Sequence, residues 1–390
     1  MTGTASQHSL PGDALAPLTA IAVEPWRVLA QRAIEPNGYY LPEWELAVNA
    51  SATGRTDVSA LAAWSDAAGA PHLIALLPVI SAWRAYRLPL PALVSAHPYG
   101  TLTTPLLDRD MARDAVTCLL DQARSAGARA LLLREVSLDG ATMKAITEVL
   151  REAGTAPCVL QSHGRACLDA TRDVEELLHD ALGSKKLKEL RRLRNRLTEQ
   201  HGAVTFHVAR TPDDVASALE SFLTLEASGW KGKRGTALLQ DPGDAAFVRR
   251  ATVALAERGQ CEIVTLRTGD ARVAAAIVLR HLDRAFYFKL GIDERFGKFS
   301  PGVQLTLDLT RHLCADPAIA SADSTASAGH PMIDPIWRGR LGIGDVLIPL
   351  RPGDPVVALI RAALTLRRTI REALRRVRDS MRTPTLPSAR

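Results

Sequence analysis

Cysteine and aromatic residues are scarce in this chain of 390 residues. Its five cysteines are an odd number without Cys-x-x-Cys spacing, which fits a reducing compartment and offers no zinc site. The ten histidines are scattered without the spacing of metal ligands. The sequence therefore predicts a protein with free thiols and no bound metal.

Long apolar runs and two common nucleophile or phosphate motifs are also missing. No stretch of about 18 uncharged apolar residues could span a membrane, and the first twenty residues lack the basic and apolar regions of a signal peptide. There is no Gly-x-Ser-x-Gly elbow and no GxxxxGK[ST] loop, which argues against serine hydrolases and P-loop nucleotide enzymes. We expect a cytoplasmic protein.

Positive charge is concentrated at the C-terminal end. The chain carries +6 in total, and residues 351–390 hold ten arginines against Asp354, Glu372 and Asp379, a net of +7 that leaves about −1 for the rest. Apolar and arginine residues alternate from Pro355 to Arg382 in a pattern that predicts a basic amphipathic helix. This tail could rest on an anionic membrane at its inner face or dock on the protein. Nucleic acid is disfavoured because no aromatic residues are interleaved.

The order of elements predicts an α/β fold in two successive parts. A length of 390 residues suits two domains, and alternating strand and helix patterns run through a similar order twice. The first pass opens with a strand predicted near Thr19–Glu24 and includes strands at Ser59–Ser65 and Cys158–Asp169. The second pass opens with a strand at Val204–Ala209 and includes helical residues at Pro331–Arg338. We predict a flexible N-terminus at 1–18, a first domain at 19–180, a second domain at 181–350 and the basic tail at 351–390.

The most informative stretch is Phe286–Thr310, which reads FYFKLGIDERFGKFSPGVQLTLDLT. An aromatic strand passes through a polar loop into an apolar-periodic helix, with Ser300 and Pro301 as expected N-cap and first helical residue. Gly302 would let a ligand approach the backbone. The free N–H groups and the positive dipole end of such a helix form a site for phosphate.

This stretch resembles the acetyl-coenzyme A segment of the GNAT acyltransferases. The blocks LEASGWKGKRGTAL (Leu225–Leu238) and HPMIDPIW (His330–Trp337) are similar to the FemAB-like branch that includes the cellulose-biosynthesis protein CelD. The resemblance covers most of residues 170–350. It implies two tandem GNAT-like domains with mixed sheets flanked by helices, and acetyl-CoA or another acyl-CoA as co-substrate. Its pyrophosphate would lie over the six residues Phe299, Ser300, Pro301, Gly302, Val303 and Gln304.

The first half lacks this anion site. Its corresponding helix begins PLLDRDMARDA, and three aspartates there (Asp108, Asp110 and Asp114) would repel a pyrophosphate. Between the halves, four leucines form a helical stripe on a segment rich in lysine and arginine, Gly183–Gly202. We expect only the second half to bind the co-substrate.

Candidate catalytic residues follow from the needs of acyl transfer, which are a base for the acceptor and stabilisation of the leaving thiolate. Glu226, Asp323 and His330 are candidate bases in the matching blocks. Strand alternation places Tyr287 and Lys289 on one face of the cofactor-edge strand, as catalytic and cofactor-binding residues. Three residues would line the acceptor site: Trp230, Lys231 and Trp337.

Two other functions remain open at this point. FemAB-type relatives transfer amino acids from charged tRNA, and the basic linker helix and tail could hold RNA. A non-catalytic double-GNAT scaffold is the second alternative. The sequence leaves the acceptor undefined, whether a glycan hydroxyl or a small-molecule amine, and it leaves the oligomeric state unknown.

Overall fold

In a computed structural model of the protein, residues 15–66 and 71–382 are described, with side chains up to residue 374 in the last helix. Most of the predicted flexible N-terminus, residues 1–18, lies outside these ranges. No helix in the described ranges is long and apolar enough to cross a membrane. The same ranges hold no cluster of three or more His, Cys, Asp or Glu residues arranged for a metal ion.

The strands alternate with helices along the chain, as the sequence predicts. In chain order they are β1 Ala16–Pro17, β2 Ser59–Ser65, β3 His72–Ser81, β4 Ala92–Ser95, β5 Leu106–Leu107, β6 Ala130–Ser137, β7 Cys158–Asp169, β8 Val204–Ala209, β9 Cys261–Thr268, β10 Ala271–His281, β11 Arg284–Ile292, β12 Ser321–Asp323 and β13 Gly339–Pro349.

The helices are listed in the same way. They are α1 Val23–Gln31, α2 Pro42–Ser51, α3 Ala82–Tyr86, α4 Ala112–Ser125, α5 Ala141–Glu152, α6 Val174–His201, α7 Pro212–Ser228, α8 Trp230–Lys233, α9 Pro242–Ala256, α10 Pro301–Cys314 and α11 Pro355–Arg382, with short 3-10 turns at Leu18–Ala20, Leu238–Gln240 and Glu294–Phe299.

All the described strands join into one mixed sheet with the order β1-β2-β3-β4-β6-β13-β7-β12-β11-β10-β9-β8, and β5 pairs with β3. Each half contributes one parallel pair, β4 with β6 and β11 with β12, next to antiparallel strands. In each half a helix connects the parallel strands, α4 in the first and α10 in the second. The two halves therefore repeat one GNAT-like arrangement.

The halves exchange their last strands at the centre of the sheet. β7, which ends the first half, pairs with β12 of the second half, and β13, which ends the second half, pairs with β6 of the first. β13 and β7 also pair with each other over nine residue positions, Gly339 to Leu347 on β13. Each half thus completes the sheet of the other.

The apolar side chains form three cores. The largest contains residues of α1, α2, α4, α5, α7 and α9, so it extends across both halves. The second lies between the sheet and helices α6 and α10. The third includes Ala82 of α3 and Ile360 of α11 against β4 and β6. The predicted stripe on α6 packs in the second core, with Leu190 and Leu197 fully buried.

Two local predictions are wrong. The strand predicted near Thr19–Glu24 is instead the end of a 3-10 turn followed by the start of α1, and Trp26 of that helix is buried with its indole N–H bonded to the Tyr40 carbonyl. Residues Pro331–Arg338, predicted as helical, form turns and not a continuous helix. The tail helix α11 has the bounds that the sequence predicts.

Candidate active site

The strands β11 and β12 separate in front of α10. They pair only from Arg284 to Phe286 on β11, whereas β11 continues to Ile292. Just beyond the pairing, the Thr325 hydroxyl donates to the Tyr287 carbonyl at 2.6 Å. The outer edge of β11 after Tyr287 therefore faces a notch that no described strand fills. We call the space beside Tyr287–Ile292 the β11 notch.

Helix α10 begins at the end of the loop that follows β11. Ser300 is the N-cap residue and Pro301 the first helical residue, as the sequence predicts, but Ser300 has φ 53° and ψ 53°, in the left-handed region, and its side chain makes no capping hydrogen bond. Its carbonyl accepts the Gln304 N–H at 3.0 Å. Among the described residues, the N–H groups of Gly302 and Val303 have no protein acceptor. The first turn therefore keeps two free donors.

The missing side chain of Gly302 allows close packing of neighbouring residues on α10, in addition to the predicted approach of a ligand. A Cβ at this position would lie 3.1 Å from Leu290 Cδ2 and 3.2 Å from Met332 Sδ, so the absent side chain lets the turn around Met332 press on α10. Gly302 and Pro301 are buried, whereas Ser300 and Val303 are half-buried. Access to this helix start is therefore from the side of Ser300 and Val303.

Two of the predicted cofactor residues have structural side chains. The Gln304 amide is buried and donates to the Leu190 carbonyl at 2.8 Å, which ties α10 to α6. Phe299 is buried in the second core, with its ring 5.6 Å from that of His201. These positions can offer a ligand their backbone only.

A β-bulge at Phe288 separates Tyr287 from Lys289. Val278 pairs with Tyr287 but Ile277 pairs with Lys289, so Phe288 is the extra residue and the alternation shifts by one. The prediction that Tyr287 and Lys289 share a face is therefore wrong. The Tyr287 hydroxyl lies 3.2 Å from the Thr306 hydroxyl of α10, and burial raises the pKa of Tyr287 to about 12.

Lys289 lies on the opposite side of β11, next to α7. Its Nζ is 3.5 Å from Glu226 Oε1, and Lys231 Nζ donates to the same oxygen at 2.9 Å. The Leu238 N–H donates to Glu226 Oε2 at 2.9 Å. Glu226 is fully buried, but the side chains of Lys231 and Lys289 keep 22% and 21% exposure, so part of each lysine faces solvent, and Lys231 Nζ also donates to the Leu290 carbonyl at 3.2 Å. We call Glu226, Lys231 and Lys289 the lysine cluster.

The charges in the lysine cluster depend on one another. Burial alone would raise the pKa of Glu226, but Lys289, Lys231 and the Leu238 N–H outweigh it, so this pKa lies below its ordinary value. Burial lowers the pKa of Lys289, and Glu226 opposes that effect without cancelling it. A carboxylate with a lowered pKa is a poor base, so Glu226 is suited to holding the lysines.

The first half of the chain closes this side of the site. Tyr99, which has φ 52°, donates its hydroxyl to Asp244 of α9 at 2.6 Å. The Arg55 guanidinium carbon lies 4.4 Å from the centre of the Tyr99 ring, and Lys289 Nζ lies 5.7 Å from it. The lysine cluster is therefore at the boundary between the halves.

Asp323 and Trp337 are buried side chains with internal partners. Asp323 is fully buried, 3.0 Å from the equally buried Arg165, and accepts the Thr325 N–H at 2.7 Å. The Trp337 indole N–H donates to the Thr310 hydroxyl at 2.9 Å, and its ring packs 5.9 Å from Tyr287. Neither can touch an acceptor in this arrangement.

His330 and Trp230 keep accessible surfaces. The His330 ring accepts the Met332 N–H through Nδ1 at 3.4 Å, and Nε2 has no protein partner among the described residues. Met332, in the same turn, packs near Gly302 at the start of α10. Trp230 is 51% exposed, and its backbone N–H donates to Glu294 Oε1 at 2.7 Å.

Sequence reasoning missed Tyr99, Arg55 and Asp244 because nothing local marks residues that meet only across the two halves. It also missed Gly291. A Cβ there would lie 3.0 Å from the Glu226 nitrogen and 3.2 Å from the Phe222 carbonyl oxygen, so α7 crosses β11 in contact with its backbone. A glycine inside a strand pattern was the available signal.

One segment of the chain is similar to a known protein family, and the whole fold is similar to several solved structures. Residues 184–328 match the family model described as the acetyltransferase (GNAT) domain. Among the curated proteins none matches. Similar solved structures include FemX, at a TM-score of 0.56 and 11% identity over 87% of this chain and 98% of that one. Another is the C-terminal domain of a putative lysylphosphatidylglycerol synthetase from Agrobacterium fabrum, at 0.52 and 14% over 88% and 96%.

A third solved structure, a conserved protein from Bacteroides thetaiotaomicron, aligns at a TM-score of 0.53 and 12% identity over 86% of this chain and 100% of that one. At such identities the likeness shows a shared fold and nothing finer. Together with the repeated strand–helix–strand units, it defines an α/β protein of two GNAT-like halves. Residues 184–328 within it are similar to the GNAT acetyltransferase domain.

Proposed function

We propose that the protein transfers an acyl group from acyl-coenzyme A to an amine or hydroxyl acceptor. The observation that carries the proposal is the start of α10. Two N–H groups there, on Gly302 and Val303, have no protein acceptor and lie at the end of the loop that leaves the β11 notch. Free donors at a helix N-terminus attract phosphate oxygens.

In this arrangement the pyrophosphate lies at Ser300–Val303 and the thioester arm runs along the open edge of β11. The side chains of Phe299 and Gln304 stay in their packed positions, and Pro301 sets the helical backbone. Lys289 and Lys231 stand on the other side of β11, where they suit an acceptor that carries negative charge or hydroxyl groups.

The reaction requires one proton acceptor near the thioester. The acceptor nitrogen or oxygen attacks the carbonyl carbon, the carbon–sulfur bond breaks, and the thiolate leaves and takes up a proton. Of the four predicted catalytic residues, His330 has a ring nitrogen without a protein partner among the described residues, and we assign it as the base. Glu226 then positions the lysines, and Tyr287 and Asp323 hold the β11 notch in shape.

The charge at position 300 tests cofactor binding. Ser300→Asp places a carboxylate beside the pyrophosphate, while Ser300→Asn is its neutral counterpart, and both residues tolerate the left-handed backbone. Isothermal titration with acetyl-CoA should give a dissociation constant about tenfold higher for Ser300→Asp than for Ser300→Asn. Equal affinities of the two variants, or no binding by the wild type, would refute the proposal.

Catalysis is tested separately at His330. His330→Gln should retain acetyl-CoA affinity and lower kcat about a hundredfold, with loss of the wild-type pH profile. Thiol release from acetyl-CoA, measured with panels of amines and sugars, reports the reaction. Absence of release with every acceptor would favour the scaffold role, in which the fold binds without reacting.

A glycan hydroxyl is the acceptor that we favour, because the blocks Leu225–Leu238 and His330–Trp337 resemble the CelD branch and imply a role in polysaccharide or cell-envelope synthesis. The acceptor panel should therefore include oligosaccharides. Transfer to small amines with no transfer to any glycan would contradict this choice.

An aminoacyl-tRNA donor is the second candidate, and the surface of α6 favours it. Five basic residues there are exposed and lie next to α10: Lys185, Lys186, Lys188, Arg191 and Arg192. The FemAB resemblance and the likeness to FemX point in the same direction. Salt-sensitive tRNA binding combined with indifference to coenzyme A would support this donor and overturn the first proposal.

A further inference from the structure

Helix α11 has two apolar faces, and among the residues that the structure describes one of them packs against the rest of the protein. Ile360 is fully buried in the third core, and Val356, Val357 and Leu364 pack partly against it. An Arg129–Asp354 ion pair fixes the start of the helix, and the Arg368 guanidinium donates to the Leu160 carbonyl. The helix is therefore docked on the sheet through one side.

The second apolar face is exposed. Leu359, Leu366, Ile370 and Leu374 are 63%, 61%, 49% and 63% exposed. Their spacing of seven, four and four residues places them along one stripe of the helix. Other large apolar side chains exposed in the described ranges are scattered over several elements. A continuous stripe of this kind marks a binding surface.

The helix is basic as a whole. From Pro355 to Arg382 it carries eight arginines against two acids, Glu372 and Asp379, and two of these arginines face the protein, Arg367 over the Tyr86 ring and Arg368 on the Leu160 carbonyl. We propose that α11 lies in the headgroup region of an anionic phospholipid bilayer, with its exposed apolar stripe in the acyl boundary and its net positive charge attracted to the lipid phosphates. Long arginine side chains reach such phosphates while their stems stay in apolar contact.

Charge and composition favour lipid over other occupants. Two copies of this chain pairing through the stripe would bring two strongly basic helices together, each with eight arginines against only Glu372 and Asp379. A nucleic acid would match the arginines but would leave the leucines in water. A bilayer surface satisfies both kinds of side chain at once. These observations are independent of the proposed catalytic activity.

Vesicle co-sedimentation of the full chain tests the proposal. The wild type should bind vesicles of phosphatidylcholine mixed with phosphatidylglycerol, bind much less to phosphatidylcholine alone, and dissociate as salt rises. The double variant Leu366→Gln/Ile370→Gln should lower the partition coefficient at least about tenfold. A matched variant, Val28→Gln/Leu239→Gln, replaces two exposed apolar residues elsewhere and should leave it within about twofold.

Both double variants should keep the wild-type circular dichroism and thermal midpoint, because all four side chains are exposed. The proposal is overturned if the wild type ignores anionic vesicles, or if Leu366→Gln/Ile370→Gln binds them as the wild type does. Sedimentation equilibrium supplies a further check. A wild-type dimer that this variant dissociates would show that a second copy covers the stripe.

Discussion

Glu226 keeps a negative charge inside the protein because two lysines share it. Replacing it by glutamine would leave Lys289, which is mostly buried, without its counter-charge. Breaking a buried pair in this way costs about 3 kcal/mol. We expect Glu226→Gln to lower the free energy of unfolding in urea by that amount.

Glu220 provides the control on the same helix. It is exposed and paired with Arg249 at the surface, so Glu220→Gln should cost less than about 1 kcal/mol. Equal effects of the two substitutions would mean that the lysine cluster contributes no more than a surface ion pair.

The free energy of unfolding should depend on pH through the ionisation of Glu226. Its pKa in the folded protein lies below the ordinary value of 4.5, so the carboxylate stabilises the fold above that pH and loses this effect as the pH falls through the folded pKa. The difference in unfolding free energy between the wild type and Glu226→Gln should therefore be largest near neutral pH and shrink in acid. A difference that stays constant down to about pH 3 would contradict this reading.

For single residues, the sequence predicted which residues are candidates for the site but not which side of the strand each side chain faces. Glu226 and Lys231 were expected near the acceptor, and the structure joins them to Lys289. The assumption of strict alternation failed at Phe288, because a single bulged residue moves every later side chain to the other face. Bulges depend on pairing with a neighbouring strand, which local sequence does not specify.

Helix α7 and strand β11 approach each other through Gly291. A Cβ there would meet the backbone of Glu226 and Phe222, which cannot rotate away as a side chain can. We expect Gly291→Ala to lower the free energy of unfolding by about 2 kcal/mol. Because it moves α7 off β11, it should also weaken the contact between Glu226 and Lys289.

Gly297 is the matched position for that test. It lies in the loop before α10 with nothing within 4 Å of a built Cβ, so Gly297→Ala should be close to neutral in the same urea titration. If Gly291→Ala were equally neutral, the close packing of α7 on β11 would not be a constraint.

Elements were the easiest level to predict. The bounds of β2, β7, β8 and α11 follow from the sequence because alternation, turn residues and capping agree there. The failure at Pro331–Arg338 has a physical cause, since two prolines interrupt the segment and Trp337 and Ile336 are drawn into the second core. Tertiary packing decides such short segments.

The whole molecule is held together by the exchange of β7 and β13. Residues 181–350 alone would contain β12 and β13 but lack β7, their shared partner, and β6. We expect this segment to be insoluble or unfolded by circular dichroism when expressed alone. Co-expression with residues 1–180 should restore a soluble complex, because the missing strands can then pair.

A segment 181–350 that unfolds cooperatively by itself would show that the exchanged strands are dispensable. The sequence does not reveal the exchange, because strand patterns predict that a segment pairs but not with which neighbour. The domain boundary predicted at residue 180 therefore remains a prediction that rests on the repeated order of strands and helices in the sequence.

Because β7 and β13 cross between the halves, the two halves cannot rotate apart as rigid bodies without breaking the strand pairing at the centre of the sheet. Opening beside the lysine cluster would then come from rearrangement of short connecting segments, chiefly the segment around Trp230. Such local opening is fast and inexpensive compared with domain rotation. The donor and the acceptor would thus bind to a sheet that stays fixed, while only the surface segments beside the site change conformation.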